Sequence, residues 1–296
     1  MAKLKLPASE NLVGITLMIA GMASGAAVDA TVKALSAQAD IMLIASVIGF
    51  GMAAIFALAV RRDGQTMVSQ QMLHPAVLLR TVFEVLGIYA TVLALSMVSL
   101  TSMTALLQSV PLLITVGAVL FFRERAGVGD WAVLLLGFLG MILIVKPGTG
   151  SFQPATLIAV AAAFILAARD LASRAVPAQI STLQLGVLGG AALGVGTLAV
   201  VIFTGISLPS PSIGLGIGLV AVIMLASTTF YCITAAMRLG SVAVISPFRY
   251  TRLIFGTLLG MMVFGEKLDL ATVVGGIAIV ASGLYVWSRE VRGKAR

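Results

Sequence analysis

The stretch from 246 to 267 places the tightest constraint on how this chain can fold. It is apolar enough to cross a lipid bilayer, yet it contains Arg249 and Arg252. A charge at membrane depth costs at least ~3 kcal/mol, and residues three apart lie on the same face of a helix. We therefore expect this face to point into the protein or into a water-filled cavity. Pro247 removes a backbone hydrogen bond, which predicts a bend or break near the start of the helix.

The rest of the chain is also too apolar for a soluble domain. Of its 296 residues, 60% are hydrophobic and 10% are charged, and the mean hydropathy is +1.12. Because about twenty apolar residues cross a bilayer, the composition predicts a polytopic helical membrane protein with its binding site inside the bundle. The net charge of +8 comes largely from short loops, so nucleic acid is not an expected partner. Cys232 is the only cysteine, which argues against an intrachain disulfide or a zinc site.

The apolar pattern divides the chain into ten predicted membrane-spanning helices joined by short loops. Most lysines and arginines outside these helices fall in one set of alternate loops and at both termini. The side richer in Lys and Arg normally faces the cytoplasm, so we expect both termini to be cytoplasmic, with the chain in the cell inner membrane. The predicted spans are 11–35, 41–60, 74–95, 101–122, 128–146, 154–175, 181–204, 213–237, 242–264 and 270–288.

An internal repeat relates the two halves of the chain. Residues of the same type recur 142 positions apart between spans three and four and spans eight and nine. We interpret the chain as two units of five spans, residues 11–146 and 154–288. Because five is odd, the units are expected to insert in opposite directions, as in many secondary transporters, whose solute site lies where the repeats meet. The matching pairs are Tyr89 and Tyr231, Ala94 and Ala236, Ser99 and Ser241, and Glu124 and Glu266.

The repeated segments also carry two sets of motifs that are similar to those of a known superfamily. The first set is Tyr89–Leu95, Pro111 and Arg123–Arg125, and the second is Ala235–Ser241, Pro247 and Gly265–Lys267. With these motifs the chain resembles, over nearly its whole length, the drug/metabolite transporter superfamily in its EamA-domain branch. The first unit departs from the usual Gly-Glu-Arg motif of that family, since Arg123 stands where glycine is common.

This resemblance implies an all-α integral membrane protein with ten transmembrane helices, arranged as two inverted five-helix repeats around a central cavity. We expect a secondary transporter that works by alternating access, without a cofactor and without catalysis. Export of amino acids or similar small metabolites is the leading expectation. The alternatives are uptake of a cofactor-like solute such as riboflavin or S-adenosylmethionine, and a membrane-embedded enzyme acting on lipid head groups. The expected partners are the small-molecule solute and membrane lipids, with the chain acting as a monomer.

Charged residues within the predicted spans suggest how the arginines are compensated. Asp29 and Lys33, and likewise Arg80 and Glu84, have the i,i+4 spacing at which side chains meet on one helix. Glu84 is predicted to lie as deep in the membrane as the arginines of span nine. We therefore expect Glu84, or alternatively Asp29, to pair with Arg252.

Such a pairing leaves one arginine without a partner. Arg249 or Arg252 is then the predicted receptor for a carboxylate or phosphate of the solute, because the planar guanidinium group can hold either with two hydrogen bonds. The alternative is that ion pairs and backbone carbonyls occupy both arginines. Arg169, Asp170 and Arg174, near the inner end of span six, are interpreted as structural.

Uncharged polar and aromatic residues supply the other candidates for solute binding. Thr104 and Gln108 lie on one polar stripe of span four, and Gln108 corresponds to Tyr250 at the repeat offset of 142. Hydrogen bonding between helices is the alternative role for these residues. Tyr89 and Tyr231 are predicted to form aromatic walls of the site, with anchoring at the lipid interface as the alternative.

Two further sets of residues relate to movement and energy coupling. Pro111 and Pro247 lie in corresponding spans of the two halves, and matched proline-interrupted helices point to moving parts near a binding site. A kink without a gating role is the alternative. Glu84 and Asp29 are the candidates for carrying a proton, unless transport is facilitated diffusion.

Regularly spaced glycines predict where helices approach one another closely. Gly256 and Gly260 form a small-xxx-small step in span nine, and Gly186, Gly190 and Gly194 form a longer ridge in span seven. Such steps let helix backbones come together in a membrane. We interpret both sets as packing surfaces and not as solute contacts.

Overall fold

A computed structural model describes residues 8–66, 70–122, 128–146, 152–173, 176–177, 179–207, 209–210, 212–239 and 246–295. Within these ranges the chain is helical, with short turns and no strand. The predicted roles of Glu124, Arg174 and Ser241 fall outside the described residues. The α-helices are α1 Ala8–Leu35, α2 Ile41–Arg62, α3 Pro75–Met97, α4 Leu100–Leu107, α5 Val110–Phe122, α6 Val128–Val145, α7 Thr156–Ser173, α8 Thr182–Thr204, α9 Ile213–Leu239, α10 Thr251–Phe264 and α11 Leu270–Ala295, with 3₁₀ turns at Gln70–Leu73 and Ser246–Tyr250.

Six helices in the described ranges are long and apolar enough to cross a membrane. Shorter apolar helices lie at Leu100–Ile114, Leu135–Val145 and Leu270–Ser282. The chain is therefore a multi-pass helical membrane protein, as its composition predicts. The six long helices are Leu12–Leu35, Ile41–Arg62, Pro75–Met97, Thr156–Ser173, Thr182–Thr204 and Ile213–Ala236.

Short polar side chains begin several of these helices. The Asp40 carboxylate accepts a hydrogen bond from the Met42 amide at 2.7 Å at the start of α2. Ser181 and Gln184 form a reciprocal capping box at the start of α8. Each cap satisfies a backbone N–H that has no acceptor within its own helix. Because the bilayer interior offers no water to such groups, local caps of this kind help to define where a helix can start.

The fourth predicted span is two helices and not one. The sequence predicts a single helix over 101–122, whereas α4 ends at Leu107 and α5 begins at Val110. Pro111 is the second residue of α5, where the missing proline N–H removes no hydrogen bond from the helix. The break therefore lies just before the proline. In the other half, Pro247 lies in the 3₁₀ turn that precedes α10, so both prolines sit beside helix interruptions.

Helix packing follows the internal repeat. Exchanging the halves maps α1 onto α7, α2 onto α8, α3 onto α9, the α4–α5 pair onto α10, and α6 onto α11. Under this exchange the extensive α1–α9 contact becomes the α3–α7 contact, and α1–α10 becomes the contact of α4 and α5 with α7. The α2–α8, α6–α11 and α4–α10 contacts map onto themselves. The described helices thus pack with the pattern of a two-fold relation between the halves.

Glycines form the central seam between α2 and α8. A Cβ atom built on Gly49 would lie 2.4 Å from the backbone nitrogen of Gly194, and one on Gly190 would lie 2.8 Å from the Gly49 carbonyl oxygen. Only a residue without a side chain allows backbones to approach this closely. The prediction that the glycine ridge of span seven is a packing surface is confirmed, and its partner is α2.

Candidate solute site

The polar stripe of α4 faces α10 across the boundary between the two halves. A Cβ atom on Gly256 would lie 2.4 Å from the Thr104 hydroxyl oxygen, so this glycine permits the contact between the helices. One turn further along, the Gln108 side-chain amide donates to the Arg249 carbonyl oxygen at 3.3 Å. The predicted residues Thr104, Gln108 and Arg249 therefore lie along one helix interface. The close-packing role predicted for Gly256 is confirmed.

Several buried polar atoms near this interface have no hydrogen-bond partner among the described residues. They are Oγ1 of Thr104, Oη of Tyr250 and Nε of Arg252. A buried polar group without a partner costs about 1–3 kcal/mol, and such groups are rare unless water or a ligand satisfies them. Their presence at one interface supports an interpretation of this region as a place where a polar solute binds.

A chain of ion pairs begins beside this interface and leads from the 3₁₀ turn before α10 to α3. The Arg249 Nη1 atom lies 3.5 Å from the Asp170 carboxylate, and Arg169 donates to the same carboxylate at 2.9 and 2.7 Å. Arg169 also lies 4.0 Å from Glu84, which accepts a hydrogen bond from Arg80 at 2.5 Å. The predicted Arg80–Glu84 pair is confirmed. Five side chains from α3, α7 and the 3₁₀ turn before α10 thus form one continuous series of ion pairs.

Arg252 belongs to a separate pair. Its Nη2 atom donates to the Asp29 carboxylate at 2.6 Å, across 223 residues of sequence. Our first expectation of a Glu84–Arg252 contact is wrong, and the alternative partner, Asp29, is correct. The expected Asp29–Lys33 pair is also wrong, because Lys33 donates to the Val98 carbonyl instead. Both Asp29 and Lys33 therefore pair with groups on other parts of the chain, and not with each other, although their i,i+4 spacing would allow it.

The charges of this region do not cancel. Among the described residues, the two groups of ion pairs contain four guanidinium groups and three carboxylates, which leaves one positive charge in excess. Four side chains of these ion pairs are each about one fifth exposed: Arg169, Asp170, Arg249 and Arg252. The other three are almost fully buried: Asp29, Arg80 and Glu84. The accessible surface is therefore cationic, with the neutralising carboxylates mostly behind it.

Sequence reasoning underrated Arg169 and Asp170, which connect the two halves in this network. A signal was present, because Asp29 and Asp170 lie 141 positions apart, close to the repeat offset, in corresponding helices α1 and α7. Each of these aspartates contacts one of the two arginines that begin span nine. The repeat therefore predicts a second important aspartate once the first is recognised.

The two predicted tyrosines lie outside the arginine network of the described residues. Tyr231 is half exposed on α9, and Tyr89 is partly buried on α3. Neither takes part in the hydrogen-bond network of the described residues that surrounds the arginines. Their proposed role as aromatic walls stays a prediction.

Two cavities border α4. One of about 400 Å³ is mainly apolar and lies between α4, α10 and α11, beside Ala105, Leu253 and Gly276. The other, of about 230 Å³, is polar and includes Ser99 and Ser102 at the start of α4. Neither is lined by the arginines.

Near that second cavity, the side chain of Glu266 joins the end of α10 to the start of α4. Glu266 follows Gly265, whose φ of 62° is a left-handed conformation that ends α10 and favours glycine. The Glu266 carboxylate accepts hydrogen bonds from the backbone N–H groups of Leu100 and Thr101 at 2.7 and 2.9 Å, and from the Thr101 hydroxyl at 2.8 Å. The Lys33 ammonium group lies 3.9 Å away. One side chain of the second half thus caps a helix of the first half.

The described helices form a multi-pass bundle with a cationic interface between its halves, and family comparison assigns the chain to a class of membrane transporters. The chain belongs to the EamA-like transporter family, whose model matches residues 12–146 and again residues 153–288. A crystal structure of a protein with 20% sequence identity matches 96% of this chain and 98% of that one with a TM-score of 0.62, which supports the fold alone.

Similar proteins with assigned names are also transporters. A riboflavin transporter of Rhizobium johnstonii is 28% identical over 231 residues, covering 73% of this chain and 70% of that protein. An S-adenosylmethionine uptake transporter of Rickettsia felis is 23% identical over 219 residues, covering 74% of each. A riboflavin transporter of Vibrio cholerae is 26% identical over 226 residues, covering 74% and 73%. The solutes in these names are those of the alternative expectation, and amino-acid export, which we expected first, is not confirmed.

The Asp29–Arg252 pair yields a prediction about stability. Removing one member of a buried ion pair leaves an uncompensated charge and typically costs 3–5 kcal/mol, so Asp29→Asn is expected to destabilise the protein by about 3 kcal/mol. The double variant Asp29→Asn/Arg252→Gln removes both charges and is expected to recover most of that loss. The measurement is the thermal unfolding midpoint in detergent. The control is Asp63→Asn, because Asp63 is exposed at the end of α2. A double variant less stable than Asp29→Asn would contradict this account of the pair.

Proposed function

We propose that this protein is an inner-membrane secondary carrier that imports a cofactor-like solute by alternating access. The cationic, partly exposed surface of Arg169, Arg249 and Arg252 between the two halves is the observation that carries the proposal. An arginine surface suits a solute with an anionic group. Among the relatives' named solutes, S-adenosylmethionine has a carboxylate beside its sulfonium and ammonium groups, whereas riboflavin has no fixed negative charge, so only the former offers an anionic group to an arginine. We therefore place S-adenosylmethionine, or a solute of similar chemistry, first.

The proposal includes ten membrane spans in two inverted units, residues 11–146 and 154–288, with both termini in the cytoplasm. The two-fold pattern of helix contacts supports the relation between the units, and the distribution of Lys and Arg supports the orientation. The helix interruptions beside Pro111 and Pro247 support movement of one unit against the other, because broken helices in matched positions commonly form the site of such carriers.

Asp29 and Glu84 stay the candidates for coupling transport to protons. Both carboxylates are paired with arginines, so protonation of either would release a guanidinium group within the bundle. A coupled carrier of this kind is expected to transport faster under an imposed proton gradient, whereas facilitated diffusion depends on the solute gradient alone.

The test is uptake by the purified chain in proteoliposomes, with S-adenosylmethionine and riboflavin as separate labelled probes. We expect saturable uptake of S-adenosylmethionine that shows counterflow when the vesicles are preloaded with unlabelled compound. Protein-free vesicles are the control, and the assay is repeated with an imposed proton gradient. Conversion of a probe or a vesicle lipid into a product would favour the enzyme alternative, and the absence of carrier-mediated flux of either probe would contradict the proposal.

A further inference from the structure

We infer that Arg249, and not Arg252, receives a carboxylate group of the transported solute, at the position where Asp170 now makes a long contact. This inference rests on the function proposed above, because it concerns the solute site of that carrier. It goes further by assigning the recognition of one chemical group to one side chain. The sequence alone left the choice between the two arginines open.

Arg252 is held by α1 through a short ion pair, although its buried Nε atom has no hydrogen-bond partner among the described residues. Its guanidinium group lies 2.6 Å from Asp29, whose side chain is 3% exposed. A Cβ atom on Gly25 would lie 3.4 Å from both Cζ and Nη1 of Arg252, so the guanidinium group packs directly against the α1 backbone. A solute carboxylate would have to displace a buried carboxylate that already holds a short hydrogen bond. Arg252 therefore serves to join α1 and α10.

Arg249 is held much more weakly. Its distance of 3.5 Å to Asp170 is longer than the 2.7–3.2 Å of typical N–H···O hydrogen bonds. The Asp170 carboxylate is meanwhile bound by two nitrogen atoms of Arg169 at 2.9 and 2.7 Å. Most of the compensation by Asp170 thus goes to Arg169. The guanidinium group of Arg249 keeps donors that have no partner among the described residues.

The net charge of this chain of ion pairs also supports Arg249 as the group that binds the solute carboxylate. Among the described residues, Arg80, Arg169 and Arg249 are paired with two carboxylates, those of Glu84 and Asp170, so one carboxylate from a solute would neutralise this part of the network. Adjacent groups are suited to hold it. The Gln108 amide donates to the Arg249 backbone carbonyl and so fixes the position of that residue. The neighbouring Tyr250 hydroxyl is buried without a partner in the described part of the chain and provides a further donor.

The experiment compares two probes that differ by the group in question, S-adenosylmethionine and its decarboxylated form, in proteoliposomes. The Arg249→Gln variant leaves the chain of ion pairs neutral, so we expect it to fold. Its apparent KM for S-adenosylmethionine is expected to rise about 10- to 100-fold, the loss that corresponds to charge-assisted hydrogen bonds, while its KM for the decarboxylated probe changes little. Arg249→Lys, which keeps the charge but loses the planar fork, is expected to fall between wild type and Arg249→Gln.

The matched comparison is Asp29→Asn/Arg252→Gln, which removes the other arginine together with its partner. Its relative affinity for the two probes is measured by equilibrium binding to the purified protein in detergent, a readout that does not depend on proton coupling, and it is expected to keep the preference for the carboxylate. Loss of that preference in this double variant, or an equal KM change for both probes in Arg249→Gln, would overturn the inference. Wild-type uptake of riboflavin without S-adenosylmethionine would also overturn it and yet leave the carrier function intact. Uptake of none of the probes would instead count against the proposed function itself.

Discussion

Replacing Gly49 by alanine is expected to destabilise the protein by about 3 kcal/mol or more, at the upper end of the range for an overpacked interior. The new Cβ atom would lie 2.4 Å from the backbone nitrogen of Gly194 and 2.8 Å from the Gly190 carbonyl oxygen. Both are backbone atoms, so no side-chain rotation can relieve the clash. The α2 and α8 helices, one from each half, would have to separate. Gly190→Ala is expected to act similarly, because its Cβ atom would meet the backbone of Ala53 and Gly49.

Gly196→Ala is the matched control, on the same helix as Gly190. A Cβ atom there would have Val85 as its nearest neighbour, at 3.7 Å, which is an ordinary van der Waals distance. Because alanine is favoured over glycine in a helix by up to about 1 kcal/mol, this variant is expected to be as stable as wild type or more stable. The measurement is the thermal unfolding midpoint in detergent, together with the fraction of monodisperse protein after purification. Equal stability of the Gly49 and Gly196 variants would contradict the close approach of α2 and α8.

Glu266→Ala is expected to reduce solute uptake at least tenfold while the protein still reaches the membrane. Three hydrogen bonds to the start of α4 would be lost, and the backbone N–H groups of Leu100 and Thr101 would lose their acceptor. Each bond to a charged acceptor contributes about 1.5–3 kcal/mol. This contact joins the end of α10 in the second half to α4 in the first, so its loss changes how the halves meet at that end. A carrier that alternates between two closed arrangements depends on such contacts.

Two companion variants separate this contact from a general effect on folding. Glu266→Gln keeps an acceptor oxygen but loses the charge, so its uptake is expected to lie between wild type and Glu266→Ala. Lys267→Ala changes the adjacent exposed residue and is expected to transport normally. Initial uptake rates in proteoliposomes, normalised to the amount of incorporated protein, provide the measurement. Wild-type rates for Glu266→Ala would mean that the cap on α4 has no part in transport.

Local properties of the sequence were enough to predict the class of protein and most helices. Hydrophobicity over about twenty residues predicts a membrane helix because the bilayer has a fixed thickness, and this holds whatever the helix packs against. The Arg80–Glu84 pair was equally predictable, since both residues lie on one helix at a spacing that brings side chains together. The cost of burying a charge likewise indicated that Arg249 and Arg252 face the interior.

The partners of those charges depended on the tertiary structure. Asp29 lies four residues from Lys33 but pairs with Arg252, 223 residues away, because α1 and α10 pack together. Asp170, which we interpreted as structural from the sequence, contacts Arg249 because α7 lies beside the 3₁₀ turn that precedes α10. The break before Pro111 and the cap by Glu266 also involve contacts across the boundary between the halves. The sequence thus determined which groups are buried, whereas helix packing decided which of them meet, because ion pairs and hydrogen bonds form only over a few ångströms.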